Sequence, residues 1–437
     1  MKIPPVKGTR DFYPPLMAVR NYLTDGWKAV SRRNGFEEYD GPIFEYLQMY
    51  TLKSGDEIAE QLFSLQDRGG RDLAIRPEIT PTLARMVSQQ INALPRPIKW
   101  FSVPRLCRAE RPQKGRLREF FQWNIDVIGV EDVLADAEII FCALDYLQEA
   151  GLTAQDVVVR ISSRRMLAEV LLALGVAQDQ LQALYAVLDK KNKVPPEAFE
   201  QMLAGQIADD SLRGKVQVLM AAKGLDEVGP MVSSEGARQA LAELRGLFET
   251  VTTMGIGDFC VFDIGIVRGL AYYTGVVFEI FDRASQLRAI GGGGRYDNLL
   301  AQFGGPQVTA TGQGMGDCVL GILLEEKGLL KDRVPQPRLD WFVAPADPQY
   351  VGKAIEIAAR LRRMGVSAGF SYKPTGLGKQ LRQASDQHAQ RCLIVGDEIR
   401  QGRLVVKDMA GGTQELVEVD RFFAGTAPKD PSTGSCV

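Results

Sequence analysis

The 437-residue sequence contains one histidine, His388, and six cysteines (107, 142, 260, 318, 392 and 436) that lie tens of residues apart with no CxxC pair. A zinc site, a disulfide framework and an HExxH metalloprotease motif are therefore all disfavoured. A reducing cytoplasm is the expected setting. No stretch approaches the roughly 18 uninterrupted apolar residues of a membrane span. Met1 to Asp11 carries charges and prolines but no apolar core, so neither a signal peptide nor a transit peptide is expected. No Gly-Lys is followed by Ser or Thr and no glycines fit GxGxxG, which excludes a P-loop and leaves dinucleotide binding unsupported. Lys and Arg total 52 against 54 Asp and Glu. A role in nucleic-acid binding must then rest on local clusters rather than overall charge. What remains is an ordinary globular composition, with a length that suggests two to four domains.

The first 160 residues mix short helices and strands. Asn21 to Asn34 reads as a surface helix ended by Gly35. Leu73 to Arg76 reads as a strand that runs into Pro77-Glu78-Ile79-Thr80-Pro81, where Thr80 is the expected N-cap and Pro81 the first helical residue. Ile98 to Arg105 and Phe120 to Gly129 predict an antiparallel hairpin flanking a charged loop. From Ser162 to about Met254 helical periods take over. Strand signals return over Phe259 to Phe281, near Gly291 to Leu300, and from Thr311 into an apolar helix. Pro335-Gln-Pro-Arg-Leu reads as a linker. Beyond it, strand-like Trp341 to Pro345, Ser367 to Phe370, Cys392 to Val395 and Leu404 to Lys407 alternate with helical Val351 to Met364 and Leu377 to Ala389. That alternation predicts a small α/β domain with a mostly parallel sheet.

The densest chemical signal is Arg105 to Arg118, with six Lys or Arg and one Glu, a local charge of +5. Such a loop suits phosphates or an RNA backbone; a solvated charged hairpin is the plainer alternative. Arg108 and Glu110 alternate along a strand and so share a face, beside Phe120-Phe121-Gln122-Trp123. A guanidinium for phosphate, a carboxylate for an exocyclic amine and a ring for stacking together suit an adenine nucleotide. In Tyr272-Tyr273, adjacent strand residues would point to opposite faces, so one at most is expected in any pocket. The four glycines Gly291 to Gly294 fit either close approach of a ligand or a flexible turn. Those of Thr311-Gly-Gln-Gly-Met-Gly-Asp-Cys-Val fit close helix–strand packing equally well. His388, in a polar helical stretch, reads as a surface residue without a catalytic role.

In this order the segments closely resemble the histidyl-tRNA synthetases, class II aminoacyl-tRNA synthetases. The resemblance rests on Lys7-Gly-Thr-Arg-Asp, Arg76-Pro-Glu-Ile-Thr, Cys107-Arg-Ala-Glu-Arg-Pro-Gln-Lys-Gly-Arg-Leu-Arg-Glu-Phe, Arg268-Gly-Leu-Ala-Tyr-Tyr-Thr-Gly and Gly292-Gly-Gly-Arg-Tyr-Asp. Leu377-Gly-Lys-Gln-Leu and Val405-Val-Lys-Asp look like the family's anticodon-binding domain. It implies an α+β catalytic core of class II synthetase type, an antiparallel sheet flanked by helices, over residues 1–160 and 255–332. A mostly helical insertion would occupy 161–254, a linker 333–338, an α/β anticodon-binding domain 339–425 and a disordered tail 426–437. It also implies a cytoplasmic homodimer, with Gly41-Pro42 at the interface, acting on histidine, ATP with Mg²⁺, and histidine tRNA.

The implied roles follow position by position. Arg108 and Arg268 would be catalytic, the first on the α-phosphate and the second specific to this family. Glu110 would accept from the adenine amine, Phe120 would stack on the base, and Arg116 and Arg295 would contact ATP. Glu78, Ile79, Thr80, Arg108, Gln122, Asp126, Arg268, Tyr272, Tyr273 and Tyr296 would hold histidine. Asp126 stands where the family usually has a glutamate, and a carboxylate there can accept the imidazole N–H. Arg111, Gln113, Lys114 and Arg116 would meet the tRNA acceptor end.

Two positions depart from the common pattern. Ala271 replaces an aspartate, and Val319 stands where the third class motif ends in a phosphate-clamping arginine. Arg288 and Arg295 are the nearby cations able to substitute. Both changes resemble the plant-organelle-like branch of the family. The competing reading is a catalytically inactive histidine-binding paralogue such as the regulatory subunit of ATP phosphoribosyltransferase, which lacks an anticodon-binding domain. A class II synthetase for proline is disfavoured by the paired tyrosines and Asp126.

Overall fold

The computed structural model describes residues 3–51, 61–191, 194–267, 272–335, 338–373 and 375–425. The chain divides into two compact units, Met1–Tyr13 with Val19–Val334, and Pro14–Ala18 with Pro335–Val437.

The larger unit is built on one twisted sheet. In chain order its strands are β1 (Glu37–Glu38), β2 (Ile98–Ser102), β3 (Arg105–Cys107), β4 (Glu119–Ile128), β5 (Val157–Ser163), β6 (Cys260–Phe262), β7 (Val276–Asp282), β8 (Gly291–Arg295) and β9 (Ala310–Gly316). The spatial order is β1-β2-β4-β9-β8-β7-β5-β6, with β3 also paired to β4. All pairings are antiparallel except those of the edge strands β1 and β6.

Strand β4 explains the architecture. Trp123, Ile125 and Val127 face one side and join the main apolar core with Leu23, Trp27 and Val30 of helix α1 (Pro14–Arg33) and with helix α2 (Leu134–Glu149). Trp27 stacks on Trp123 at 6.2 Å between centroids, Tyr146 meets both edge-on, and the Trp123 indole N–H donates to Ser31 Oγ at 2.8 Å. Truncating either tryptophan here costs about 3–5 kcal/mol by cavity formation. Gln122, Asn124 and Asp126 alternate to the opposite face. Part of that face is covered by a helix, Thr80–Gln90, through Ile79, Leu83, Ala84 and Val87 packed with Ile98, Ile128, Val277 and Ala310. The rest of it is open and forms the floor of a cavity.

Several boundaries differ from expectation. Helix α1 starts at Pro14, about two turns before Asn21, because Pro14 and Pro15 occupy first-turn positions that need no N–H. Ile79, not Thr80, is the N-cap residue of the Thr80–Gln90 helix, and no side chain caps it. The helical insertion starts after Ser163, because Val157 to Ser163 pairs along its whole length with β7. Six helices follow between Arg164 and Thr253 among the described residues. Their apolar faces, with Leu167, Leu184, Leu203, Leu219 and Leu244, are continuous with the core behind the sheet.

A separate three-stranded sheet joins Phe44–Tyr46, Asp72–Ile75 and Phe63–Gln66. Its register aligns Phe44, Ile75 and Phe63 in one row and Tyr46, Leu73 and Leu65 in the next, all on one face. Phe44, Tyr46 and Leu65 are exposed.

The smaller unit holds five strands in the spatial order Ala368–Phe370, Trp341–Pro345, Arg391–Val395, Arg403–Asp408, Gln414–Glu418. The first three run parallel and the last two pairings are antiparallel. The fifth strand and the helix Val419–Gly425 had no sequence signal, since Gln-Glu-Leu-Val-Glu lacks a buried face. His388 is exposed, with a left-handed backbone just past the helix Leu377–Asp386. The expected tail 426–437 and part of the expected linker, 336–337, lie outside the described residues.

Candidate active site

The cavity over the sheet has a volume of about 630 Å³. Its floor is made by glycines. Gly312, Gly314 and Gly316 of β9 sit directly opposite Asp126, Asn124 and Gln122 of β4. A Cβ at Gly312 would fall 2.0 Å from Asp126 Oδ1, and one at Gly314 2.8 Å from the Gln122 amide. The alternate glycines therefore leave room for polar side chains to lie across the sheet. Gly291 to Gly294 form buried strand β8, not a turn; a Cβ at Gly293 would meet the Gly312 carbonyl at 1.9 Å.

At one end the cavity is buried and acidic. Asp126 Oδ1 accepts from the Tyr296 hydroxyl at 2.6 Å, while Oδ2 has no hydrogen-bond partner. Burial pushes its pKa up to about 7, although the Tyr296 bond favours the charged form. Glu78, 6% exposed, accepts from the Tyr272 hydroxyl at 3.4 Å, and its other oxygen is also without a partner. Burial raises its pKa, and the charge of Arg108 opposes the rise. Both adjacent tyrosines line the cavity, their centroids 4.8 Å apart, with Tyr272 edge-on to Tyr296 at 5.8 Å. One of the two was expected to point away. Their segment is irregular rather than a strand, so the alternation rule does not apply.

The other end is richer in cations. Arg108 donates through Nε to the Pro77 carbonyl at 3.0 Å and lies over the Phe120 ring at 5.2 Å. Arg108 and Glu110 share the cavity although β3 ends at Cys107; a loop, not a strand face, brings them there. Glu110 and Arg116 form an ion pair. Residues 113–116 make a tight hairpin in which the Gln113 and Arg116 backbones bond reciprocally at 2.9 Å, and Gly115 adopts φ +74°. Arg111, Gln113 and Lys114 project from it exposed. The base is held by the Lys7-Gly-Thr-Arg-Asp segment. The Arg118 N–H donates to the Gly8 carbonyl at 2.8 Å, and Arg10 pairs with Asp317 at 2.6 Å.

Thr80, Gln122 and Val319 also line the cavity. Two expected residues do not. Ile79 is fully buried in the apolar cluster under the Thr80–Gln90 helix. The Arg295 side chain is turned to the far face of the sheet, where Nε bonds Asp136 at 3.0 Å and the terminal nitrogens reach the Val130 and Asp132 carbonyls and Thr309. Such a buried pair is destabilising to break, by about 3–5 kcal/mol. Arg295 therefore does not line the cavity. Arg268 and Ala271 lie outside the described residues. The cavity also includes Asn124, Glu279 and Asp189, which sequence reasoning passed over. Asn124 was within reach, since it alternates with Gln122 and Asp126. Asp189 comes from the helical insertion and carried no signal.

An antiparallel sheet with a glycine-cleared face, a basic hairpin at one edge and a separate α/β unit make a class II aminoacyl-tRNA synthetase fold. The histidyl-tRNA synthetase family matches residues 8–316, and the anticodon-binding domain family matches residues 340–425. The chain is 40% identical over 417 residues to the chloroplastic/mitochondrial histidine–tRNA ligase of Arabidopsis thaliana, covering 95% of this chain and 85% of that one. It is likewise 40% identical over 423 residues to the histidine–tRNA ligase of Opitutus terrae, covering 95% and 96%. The histidyl-tRNA synthetase from Nostoc sp. PCC 7120 superposes with a TM-score of 0.80 at 23% identity, covering 98% of this chain and 99% of that one. The chain belongs to the histidyl-tRNA synthetase family.

Proposed function

We propose that the chain is a histidine–tRNA ligase. The observation that carries this reading is that one glycine-floored cavity holds two buried carboxylates with unpartnered oxygens, Glu78 and Asp126, together with Arg108, Glu110 and Phe120. The first are suited to the ammonium and imidazole of histidine, the second to an adenine nucleotide. In the first step a histidine carboxylate oxygen attacks the α-phosphorus of ATP and pyrophosphate leaves. In the second a ribose hydroxyl of the terminal tRNA adenosine attacks the acyl carbon and AMP leaves.

In-line attack at phosphorus gains mainly from positioning and from stabilisation of charge on the phosphate oxygens. Arg108 would supply that charge at the α-phosphate, jointly with Arg268. Glu78 and Thr80 would hold the α-amino group, with Gln122 beside them. Asp126, oriented by Tyr296, would accept the imidazole N–H. An analogue without that N–H leaves Asp126 unpaired, which is the stronger form of discrimination. Mg²⁺ suits a site where phosphates provide most ligands and the protein one or two carboxylates; Glu279 on the cavity wall fits that role. The ion would neutralise charge on the leaving pyrophosphate.

The exposed hairpin residues Arg111, Gln113 and Lys114, with Arg116, would meet the tRNA acceptor end, and residues 339–425 its anticodon. The apolar face of the three-stranded sheet, with Phe44, Tyr46 and Leu65 exposed, supports a homodimer near Gly41-Pro42. No described helix is long and apolar enough to cross a membrane, and cytoplasmic residence is part of the reading. The match of residues 340–425 to an anticodon-binding domain disfavours the inactive regulatory paralogue. Amino-acid-dependent ATP–pyrophosphate exchange tests the proposal. Exchange with histidine, and none with proline or threonine, is expected; histidine binding without exchange would overturn it.

A further inference from the structure

Resting on the reading of the cavity as an ATP site, we propose that Arg288 binds the outer phosphates of ATP. It would take the place of the cation that Val319 does not provide. Three cations line the cavity among the described residues: Arg108, Arg116 and Arg288. Arg116 is paired with Glu110, and Arg108 is held by the Pro77 carbonyl over the Phe120 ring. Arg288 is exposed and has no hydrogen bond or ion pair among the described residues. An exposed guanidinium on a cavity rim, with no carboxylate to neutralise it, is available for an anion.

Its position is set by the sheet. Gly291 pairs with Met315, and the Gly316 N–H donates to the Ile290 carbonyl at 3.1 Å. Residues 288–290 therefore run along one flank of the strand end that leads into the helix Asp317–Glu326. On the other flank Gly316 pairs with Gln122, two residues from Phe120. Arg288, three residues before β8, and Phe120, on β4, thus lie on opposite sides of β9, and β8 and β4 themselves stand two strand spacings apart, about 9–10 Å. Val319, 7% exposed, lies on the helix Asp317–Glu326 beside Gly115 and lines the cavity with an apolar side chain.

The other cations around this helix are engaged. Arg10 pairs with Asp317 at 2.6 Å, and Lys114 pairs with Glu326 at 2.9 Å. Arg295 is bound to Asp136 on the far face. A triphosphate whose base stacks on Phe120 and whose α-phosphate meets Arg108 would extend along this end of the floor, where Arg288 is the unengaged guanidinium among the three described arginines that line the cavity.

The test is equilibrium binding of ATP, adenosine and histidine to the full chain and to its Arg288→Ala and Arg288→Lys variants. Arg288→Ala is expected to weaken ATP binding about 10- to 100-fold, the worth of a charge-assisted contact, with adenosine and histidine affinities unchanged. Arg288→Lys should recover part of the loss. Unchanged ATP affinity in Arg288→Ala, with histidine-dependent pyrophosphate exchange intact in the wild type, would overturn this inference alone. An equal loss for adenosine would also overturn it, by assigning Arg288 to the base. Absence of ATP binding to the wild-type chain would overturn the nucleotide reading and this inference together.

Discussion

The two ends of the cavity handle their polar groups in opposite ways. At the buried end, Glu78 and Asp126 each keep an oxygen without a partner, held under Tyr272 and Tyr296 at a cost in stability. At the open end, Glu110 and Arg116 satisfy each other and Arg108 rests on Phe120. The first end is preorganised for a small ligand that must be told from others. The second is self-paired, with Arg116 partly exposed and the Glu110 side chain 8% exposed, and in the proposed reading it exchanges those partners for the contacts a nucleotide brings. On that reading, selectivity would belong to the rigid end and turnover to the other.

The largest effect should come from the group that bridges them. Arg108→Ala is expected to slow histidine-dependent pyrophosphate exchange about 10³-fold, the scale for losing one charge-stabilising donor. Arg268→Ala is expected to match it in size, leaving no readily detectable adenylate formation while histidine binding stays partly intact. Normal exchange in either variant would remove it from the mechanism.

Asp126→Asn breaks the preorganised end in two measurable ways. The KM for histidine should rise about 100-fold, since an amide oxygen accepts the imidazole N–H without charge. Stability should move the other way. With the folded pKa near 7, the native state keeps a proton that the unfolded chain releases above about pH 4. Wild-type stability therefore falls as pH rises from about 4 to 7, by at most about 4 kcal/mol. Asn removes that slope, so the variant should gain Tm over the wild type at pH 8 and lose the advantage at pH 4. A variant less stable than the wild type at pH 8 would show that the Asp126 charge is already compensated.

Gly312→Ala tests the same end more gently. The added methyl would collide with Asp126 Oδ1 and come within 2.8 Å of the Ile125 carbonyl oxygen, so the strand must give locally. The KM for histidine should rise at least about tenfold, with a smaller rise for ATP, a split read by steady-state kinetics. A matched rise in both would mean that the whole sheet has shifted.

How much of this contrast was readable beforehand depends on which force placed each residue. Periodicity exposed β4, because Gln122, Asn124 and Asp126 alternate with a buried Trp-Ile-Val series. The basic hairpin was legible because charge density survives any backbone. Tyr272 and Tyr273 misled, since alternation holds only inside a strand. Arg295 misled for a different reason. A buried arginine and a phosphate-binding arginine look alike in sequence, and only the long-range partner Asp136, 159 residues away, separates them. Asp189 was invisible, because it caps the C-terminus of the insertion helix Leu181–Leu188, and nothing local in the sequence says that this helix end reaches the cavity.

The smallest effect belongs to the rim of the open end. Lys114 and Glu326 form an ion pair at 2.9 Å with both side chains largely exposed. Lys114→Ala should therefore change stability by only a few tenths of a kcal/mol. Pyrophosphate exchange should be unaltered, because the side chain projects away from the cavity. Aminoacylation should nonetheless lose a few-fold at low salt and less at 150 mM, if Lys114 leaves Glu326 to meet a tRNA phosphate. An equal loss in exchange would place Lys114 with the nucleotide, and the open end would then be more rigid than its exposed pairs imply.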